Sequence, residues 1–261
     1  KKLMSGFLFS EVVFGPVRSR RLGVSLGINL LPTACKFCSF NCIYCECGWT
    51  DEPADSKVKL PDRATIREFL EKKLIELKSS GVSPDALTFA GNGEPSIHPE
   101  FPGIVEDTIK LRDEYFPKAS TTVLSNSSML HKEDVFQALL KVDKNVMKLD
   151  AGTNEQFQRI NLSNRDIHID TLVEQLSAFD GNLIIQTLFL KGEYNEQIID
   201  NTTEEEVELW LEHLKKIKPK LVMIYPIDRS TPAKDLEKVS KDKLNEIAAR
   251  VEALGFKTEV Y

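Results

Sequence analysis

Short apolar runs alternate with helix-periodic stretches along almost the whole chain, and this alternation limits its fold more than any other feature. The apolar runs are LGVSLGINL (22–30), ALTFA (86–90), TTVLS (121–125), NVMKLD (145–150), LIIQTLFL (183–190), LVMIYP (221–226) and KTEVY (257–261). After the first run and a long loop, a helix is expected from Asp62, where Ile66, Phe69, Leu70, Leu74 and Leu77 recur at three- and four-residue intervals and Gly81 marks the stop. Further helices are expected over 171–179, 203–217 and 241–254. Strands that alternate with helices call for parallel pairing and right-handed crossovers. The expected fold class is therefore α/β, a (β/α)6 partial TIM-like barrel with parallel strands and functional groups on the loops after the C-terminal strand ends. No Gly/Ser-rich linker, repeat or low-complexity segment interrupts the series, so residues 1–261 are read as one domain, with 1–21 as a lead-in and 31–60 as a long loop.

Composition narrows the partners. The 34 basic and 40 acidic residues leave a net charge of −6 with no long block of either sign, so RNA is not indicated by charge, although a local basic site is compatible with it. The opening KKLMSGFLFSEVVFG is too short for a spanning helix, is interrupted by Glu11 and lacks a small-residue cleavage site, so no membrane partner and a cytoplasmic location are expected. All five cysteines lie between positions 35 and 47. A disulfide framework would spread its cysteines to tie distant segments together, so a reducing compartment and a metal site fit better.

Three metal readings compete for CKFCSFNCIYCEC (35–47). Structural zinc usually takes two well-separated pairs, and here the Cys35/Cys38 and Cys42/Cys45 pairs are nearly contiguous. A ferredoxin-like cluster would use Cys35, Cys38, Cys42 and Cys45, but no proline follows Cys45. The third reading assigns Cys38, Cys42 and Cys45 to three irons of a [4Fe–4S] cluster and leaves the fourth iron open.

Cys38-x3-Cys42-x2-Cys45, with Tyr44 before the last cysteine, resembles the signature of the radical S-adenosylmethionine (radical SAM) superfamily. FGPVRSRRLGVSLGINLLP before the loop, CECG at its end, GNGEPSIHPE after the second strand and YPIDRSTP after the sixth resemble the branch that includes wybutosine-synthesis-related Fe–S oxidoreductases. The resemblance implies a radical SAM core over 1–261 and a cluster-binding loop over 31–60. It also implies S-adenosyl-L-methionine chelating the open iron, one-electron cleavage to methionine and a 5′-deoxyadenosyl radical, and hydrogen abstraction from a substrate the sequence does not identify. A low-potential donor such as flavodoxin or ferredoxin would supply the electron.

Carried over position by position, the resemblance places Tyr44 near the adenine and Gly91, Asn92, Gly93 and Glu94 around the methionine ammonium. Ser125, Asn126, Lys148, Asp150 and Gln186, at or near strand ends, would face the ribose and carboxylate in the barrel mouth. For each of these polar residues a buried structural hydrogen bond is the competing expectation, and for Tyr44 packing under the loop. No catalytic residue is assigned. Arg18, Arg20 and Arg21 form a basic patch that either grips an anionic group or pairs with nearby acids. Asp228 and Arg229 either meet substrate or pair with each other. His98, His131, His168 and His213 show no metal-ligand spacing and are expected on surfaces or caps. Cys35 reads by default as a spare thiol, with ligation of a second metal and hydrogen donation as the alternatives, and Cys47 lies too near Cys45 to reach a separate iron easily. A wybutosine-type tRNA enzyme is the alternative within the superfamily, and an Fe–S electron-transfer protein the alternative outside it.

Overall fold

The computed structural model describes residues 6–50 and 59–261, so positions 1–5 of the lead-in and 51–58 of the long loop lie outside the described residues. In chain order the strands and helices are β1 (Val13–Ser19), β2 (Gly23–Ile28), α1 (Arg63–Ser79), β3 (Ala86–Phe89), α2 (Phe101–Tyr115), β4 (Ser120–Ser125), α3 (Glu133–Leu140) and β5 (Lys144–Lys148). They continue with α4 (Asn154–Asn161), α5 (Ile169–Ser177), β6 (Ile184–Tyr194), β7 (Gln197–Asp200), α6 (Glu204–Ile217), β8 (Leu221–Pro226), β9 (Leu236–Lys238), α7 (Lys241–Ala253) and β10 (Thr258–Val260). Among the described residues the sheet runs in the order β1-β2-β3-β4-β5-β6-β8-β10. From β2 to β10 every neighbouring pair on this path is parallel. Helices lie between successive parallel strands, the expected α/β partial barrel, and the sheet is not closed.

Burial explains why the parallel strands were legible. The four residues of β3 and the first seven of β6 are all buried, as expected for strands covered on both faces. The end of β6 then alternates between exposed and half-buried, and there it pairs antiparallel with β7 and β9. The expected strand at 183–190 thus extends to Tyr194. The lead-in contributes β1, an antiparallel edge strand not anticipated because Pro16 interrupts its apolar pattern, although an edge tolerates proline.

Helix α1 begins where expected. The Asp62 carboxylate accepts from Thr65 N at 2.8 Å, and Ile66, Leu70, Leu74 and Leu77 are buried. Phe69 departs from expectation and is 48% exposed. At 3.6 residues per turn the four buried positions share one sector, and Phe69 falls about 60° to its side. Among the histidines, His131 is exposed and His168 caps α5 as expected. His213 is instead buried in α6 with Nε2 2.8 Å from Gly152 O, and His98, at a cap position, is buried with Nε2 2.9 Å from Pro61 O.

Helices α1 and α2 are joined by a forked ion pair, in which Arg63 Nε and Nη2 donate to the two Asp107 oxygens at 2.7 and 2.9 Å. The bond from Arg63 holds the Asp107 carboxyl below its ordinary range. A depressed carboxyl contributes stability above the unfolded-state value and loses it as pH falls through the folded-state value. Asp107→Asn is expected to cost about 1 kcal/mol at neutral pH, because Asp107 is buried but the Arg63 side chain is 39% exposed, so solvent screens the pair from that side. Urea unfolding should show that difference shrinking below about pH 4; a difference that persists undiminished in acid would assign it to packing.

Candidate functional site

The cysteine loop leaves the C-terminal end of β2 and is held from three sides. Asn41 N donates to Asn161 O and Ile43 N to Ile160 O, both at 3.0 Å, so the end of α4 grips the loop on either side of Cys42. Ala233 N donates to Ile43 O at 3.1 Å, and the buried Phe40 packs edge-on against Phe157. Within the loop, Cys45 N donates to Cys42 O at 3.0 Å and Gly48 N to Cys45 O at 2.9 Å, two successive turns.

The turn after β3 docks on the same loop. Phe37 N donates to Asn92 O at 2.8 Å and Glu94 N to Phe37 O at 3.2 Å, a strand-like bridge between Phe37 and Gly93. Gly93 has φ +145°, and a Cβ there would lie 1.9 Å from Phe37 O, so only glycine permits the approach. The Asn92 amide holds backbone groups of the lead-in and the loop: Nδ2 donates to Phe9 O (2.9 Å) and Pro32 O (2.8 Å), and Oδ1 accepts from Phe9 N (2.8 Å).

Glu94 is buried, and its carboxylate accepts four hydrogen bonds. Oε1 accepts from Ser96 N (3.0 Å), Ser96 Oγ (2.5 Å) and Ser125 Oγ (2.9 Å), and Oε2 from Asn126 N (2.6 Å). Burial raises its pKa despite these donors. Its position ties the β3 turn to the end of β4 through Ser125 and thereby sets Asn126 beside Cys38. Asn126 Nδ2 lies 3.5 Å from Cys38 Sγ and 3.0 Å from Ser39 Oγ.

Electrostatics distinguishes the sulfurs. Burial, then the neighbouring Cys42, pushes the Cys38 thiol up to about 12, and burial also raises Cys42. Cys45 is held down to about 5, chiefly by a hydrogen bond from Cys47, whose own thiol is raised by the same bond. Cys47 Sγ also lies 3.6 Å from Gly91 O, and Cys35 is half-buried. The buried Lys36 donates from Nζ to Gly48 O at 2.9 Å. Burial alone would lower the Lys36 pKa, but the charges of Cys45, Cys42, Cys38 and Cys47 outweigh it and leave it raised.

A second group fills the mouth on the β5–β6 side. Lys148 Nζ lies 2.5 Å from Asp150 Oδ2 and 4.3 Å from the Tyr44 ring centroid. The Tyr44 hydroxyl donates to Asp150 and accepts from Lys148. Burial would lower the Lys148 pKa, but Asp150 and Cys42 raise it; burial and then Asp150 raise Tyr44. Gln186 belongs to a neighbouring set, in which its Oε1 accepts from Arg21 Nη1 at 3.2 Å and the Arg21 guanidinium lies over the Tyr225 ring at 5.2 Å. Arg20 pairs with Asp228 at 2.9 Å, and Arg229 pairs with Glu46 at 2.6 Å rather than with Asp228.

Among the described residues no three His, Cys, Asp or Glu side chains are arranged to hold a single metal ion. A cluster makes a different demand, because each cysteine binds its own iron. Closely spaced cysteines beside a buried lysine, with N–H donors at a sulfur, suit an anionic thiolate-bound cluster. Phe40 N supplies a further donor 3.5 Å from Cys38 Sγ.

An open, mainly parallel α/β sheet with a cysteine-rich loop after its first parallel strand is the arrangement of a radical SAM core. The Radical SAM superfamily model matches residues 34–203, and the chain belongs to that superfamily, whose members are enzymes. A curated relative, the UPF0026 protein MJ1312 of Methanocaldococcus jannaschii, is 35% identical over 198 residues, which cover 74% of this chain and 59% of that protein. The chain thus spans less than two thirds of that relative's length. Among solved structures, a radical SAM methyltransferase from Sphaerobacter thermophilus has a TM-score of 0.66 at 14% identity, covering 91% of this chain and 65% of that one. Archaeal TYW1 has a TM-score of 0.53 at 11% identity, covering 88% and 71%. These structural likenesses concern the fold.

The sequence did not point to Lys36, Asn161 or Tyr225. Lys36 carried a usable signal, since a lysine inside a cysteine run is a ready countercharge. Asn161 carried none, because its proximity to Cys42 arises only from the packing of α4. Among the described residues no helix is long and apolar enough to cross a membrane.

Proposed function

We propose that Cys38, Cys42 and Cys45 hold a [4Fe–4S] cluster, that S-adenosyl-L-methionine binds at its fourth iron, and that the chain acts as one radical SAM core. The observation that carries this reading is the spacing of those three cysteines on a loop that leaves the C-terminal end of β2, with Asn126 Nδ2 3.5 Å from Cys38 Sγ and Asn161 Oδ1 3.5 Å from Cys42 Sγ. Held by these residues, the cluster and cofactor would supply one-electron cleavage of the sulfonium and hydrogen abstraction from substrate.

The chain's own residues bind, orient and exclude water. Lys36 offsets thiolate charge, Asn126 donates to a ligand sulfur, and the Gly91–Glu94 turn sets the wall beside the cluster. Tyr44, Lys148 and Asp150 line the opposite side and offer a hydroxyl, an ammonium and a carboxylate to the cofactor, with Ser125 and Gln186 completing the ring of strand ends. The substrate stays open. A tRNA is the alternative substrate, and the net charge of −6 gives no support to a broad RNA surface. A low-potential flavodoxin or ferredoxin fits the need for one electron.

Anaerobic reconstitution is expected to give a [4Fe–4S] spectrum that shifts on adding S-adenosylmethionine. Reduction should then release 5′-deoxyadenosine slowly even without substrate. A cluster indifferent to the cofactor would favour an electron carrier, and an intact, cofactor-bound cluster that yields no 5′-deoxyadenosine would end the enzymatic reading.

A further inference from the structure

We propose that Asn161 donates a side-chain N–H to the sulfur of Cys42 when that sulfur binds iron, and that this bond raises the reduction potential of the cluster. The inference rests on the cluster reading above. Asn161 closes α4 and is fully buried. Its Oδ1 lies 3.5 Å from Cys42 Sγ and accepts from the thiol. Its Nδ2 is buried and, among the described residues, has no hydrogen-bond partner. The backbone bonds from Asn41 N to Asn161 O and from Ile43 N to Ile160 O flank Cys42 and fix the amide against its sulfur.

An iron-bound sulfur carries no proton. With the amide in its present orientation, Oδ1 would then face an anionic sulfur and neither amide atom would have a partner, which is costly for a buried polar group. Turning the amide half a revolution about its last side-chain bond exchanges Oδ1 and Nδ2 in nearly the same volume. The idle N–H groups then meet the sulfur. Asn126 already stands this way at Cys38, with Nδ2 3.5 Å from the sulfur and Oδ1 accepting from Ser128 N at 3.0 Å. Donors to cluster sulfurs stabilise the more negative, reduced state and so raise the potential.

The test compares the reconstituted wild-type protein with Asn161→Leu, which keeps the size of the side chain and removes the donor. Iron content, the spectral shift with S-adenosylmethionine and the midpoint potential are measured on both. Asn161→Leu is expected to shift the oxidised-to-reduced ratio by up to about tenfold toward oxidised, equivalent to about 59 mV for one electron. An unchanged potential in a variant with full iron content overturns the proposal and leaves the cluster reading intact; absence of a cluster from the wild type overturns both. Because Asn161→Leu could fail to assemble, a second measurement uses wild-type protein alone, with 15N in the asparagine side-chain amides. Pulsed electron–nuclear resonance of the reduced cluster should show two coupled amide nitrogens, from Asn126 and Asn161, and one or none overturns the proposal.

Discussion

Cys38→Ala, Cys42→Ala and Cys45→Ala are each expected to lose stably bound iron and all cofactor cleavage, whereas Cys35→Ala and Cys47→Ala keep both. Removing a ligand exposes a further iron, so the loss should exceed the roughly 10–100-fold drop typical of losing a partner behind the ligands. The three positions differ in what surrounds them. Cys38 has two N–H donors at 3.5 Å, Cys42 is gripped by the end of α4, and Cys45 is held down to about 5 by the Cys47 thiol. Cys47 lies two residues past Cys45 and is expected to be dispensable for holding iron. Cys35 is the deciding case, because its spacing to Cys38 permits ligation. Iron content and 5′-deoxyadenosine yield should be measured for all five variants under the same anaerobic conditions. A Cys35→Ala protein that drops to the level of the three core variants would mean a fully thiolate-ligated cluster with no iron left for the cofactor, and the radical reaction would fail with it.

The parallel series was legible because central strands such as β3 and the first part of β6 are buried on both faces and read as mainly apolar runs, while α1 declares itself by an Asp62 cap and a four-residue stripe. The edge was harder. β1 contains Gly15 and Pro16, and β7 and β9 are short strands that pair with a half-exposed extension of β6, so none carries a period that stands out. At the site, cysteine spacing was visible because ligation chemistry depends on it locally. The duties of the polar residues were not visible, because they arise from tertiary contact. Glu94 was expected beside an ammonium, and the structure surrounds its carboxylate with donors from Ser96, Ser125 and Asn126. Asn92 holds backbone of residues 9 and 32, and Gln186 meets an arginine from the turn between β1 and β2. A residue type names the bonds it can make, and only packing decides which partner arrives.

Asp150→Asn and Lys148→Met are each expected to destabilise the fold by about 3–5 kcal/mol, because each leaves its partner charged, buried and uncompensated. The Asp150 side chain is 0% exposed and that of Lys148 10%. Asp150→Asn should be the worse of the two. It can place an amide N–H against the Lys148 ammonium, whereas in Lys148→Met the Asp150 carboxylate keeps a donor from Leu188 N at 3.0 Å and the Tyr44 hydroxyl. The Lys148→Met/Asp150→Asn double variant should lose less than the sum of the singles, since it removes both charges together. Urea unfolding of the four proteins measures this, and strict additivity would show that the pair is not coupled. A buried pair of this kind is weak evidence for stability, since apolar replacement of both partners is often neutral or better. Its place in the barrel mouth, with the Tyr44 hydroxyl bonded to both partners, suits the cofactor contact proposed above. The folded double variant is therefore expected to retain its iron and to lose the spectral shift on adding S-adenosylmethionine. A double variant that still shows the full shift would confine Lys148 and Asp150 to a structural part.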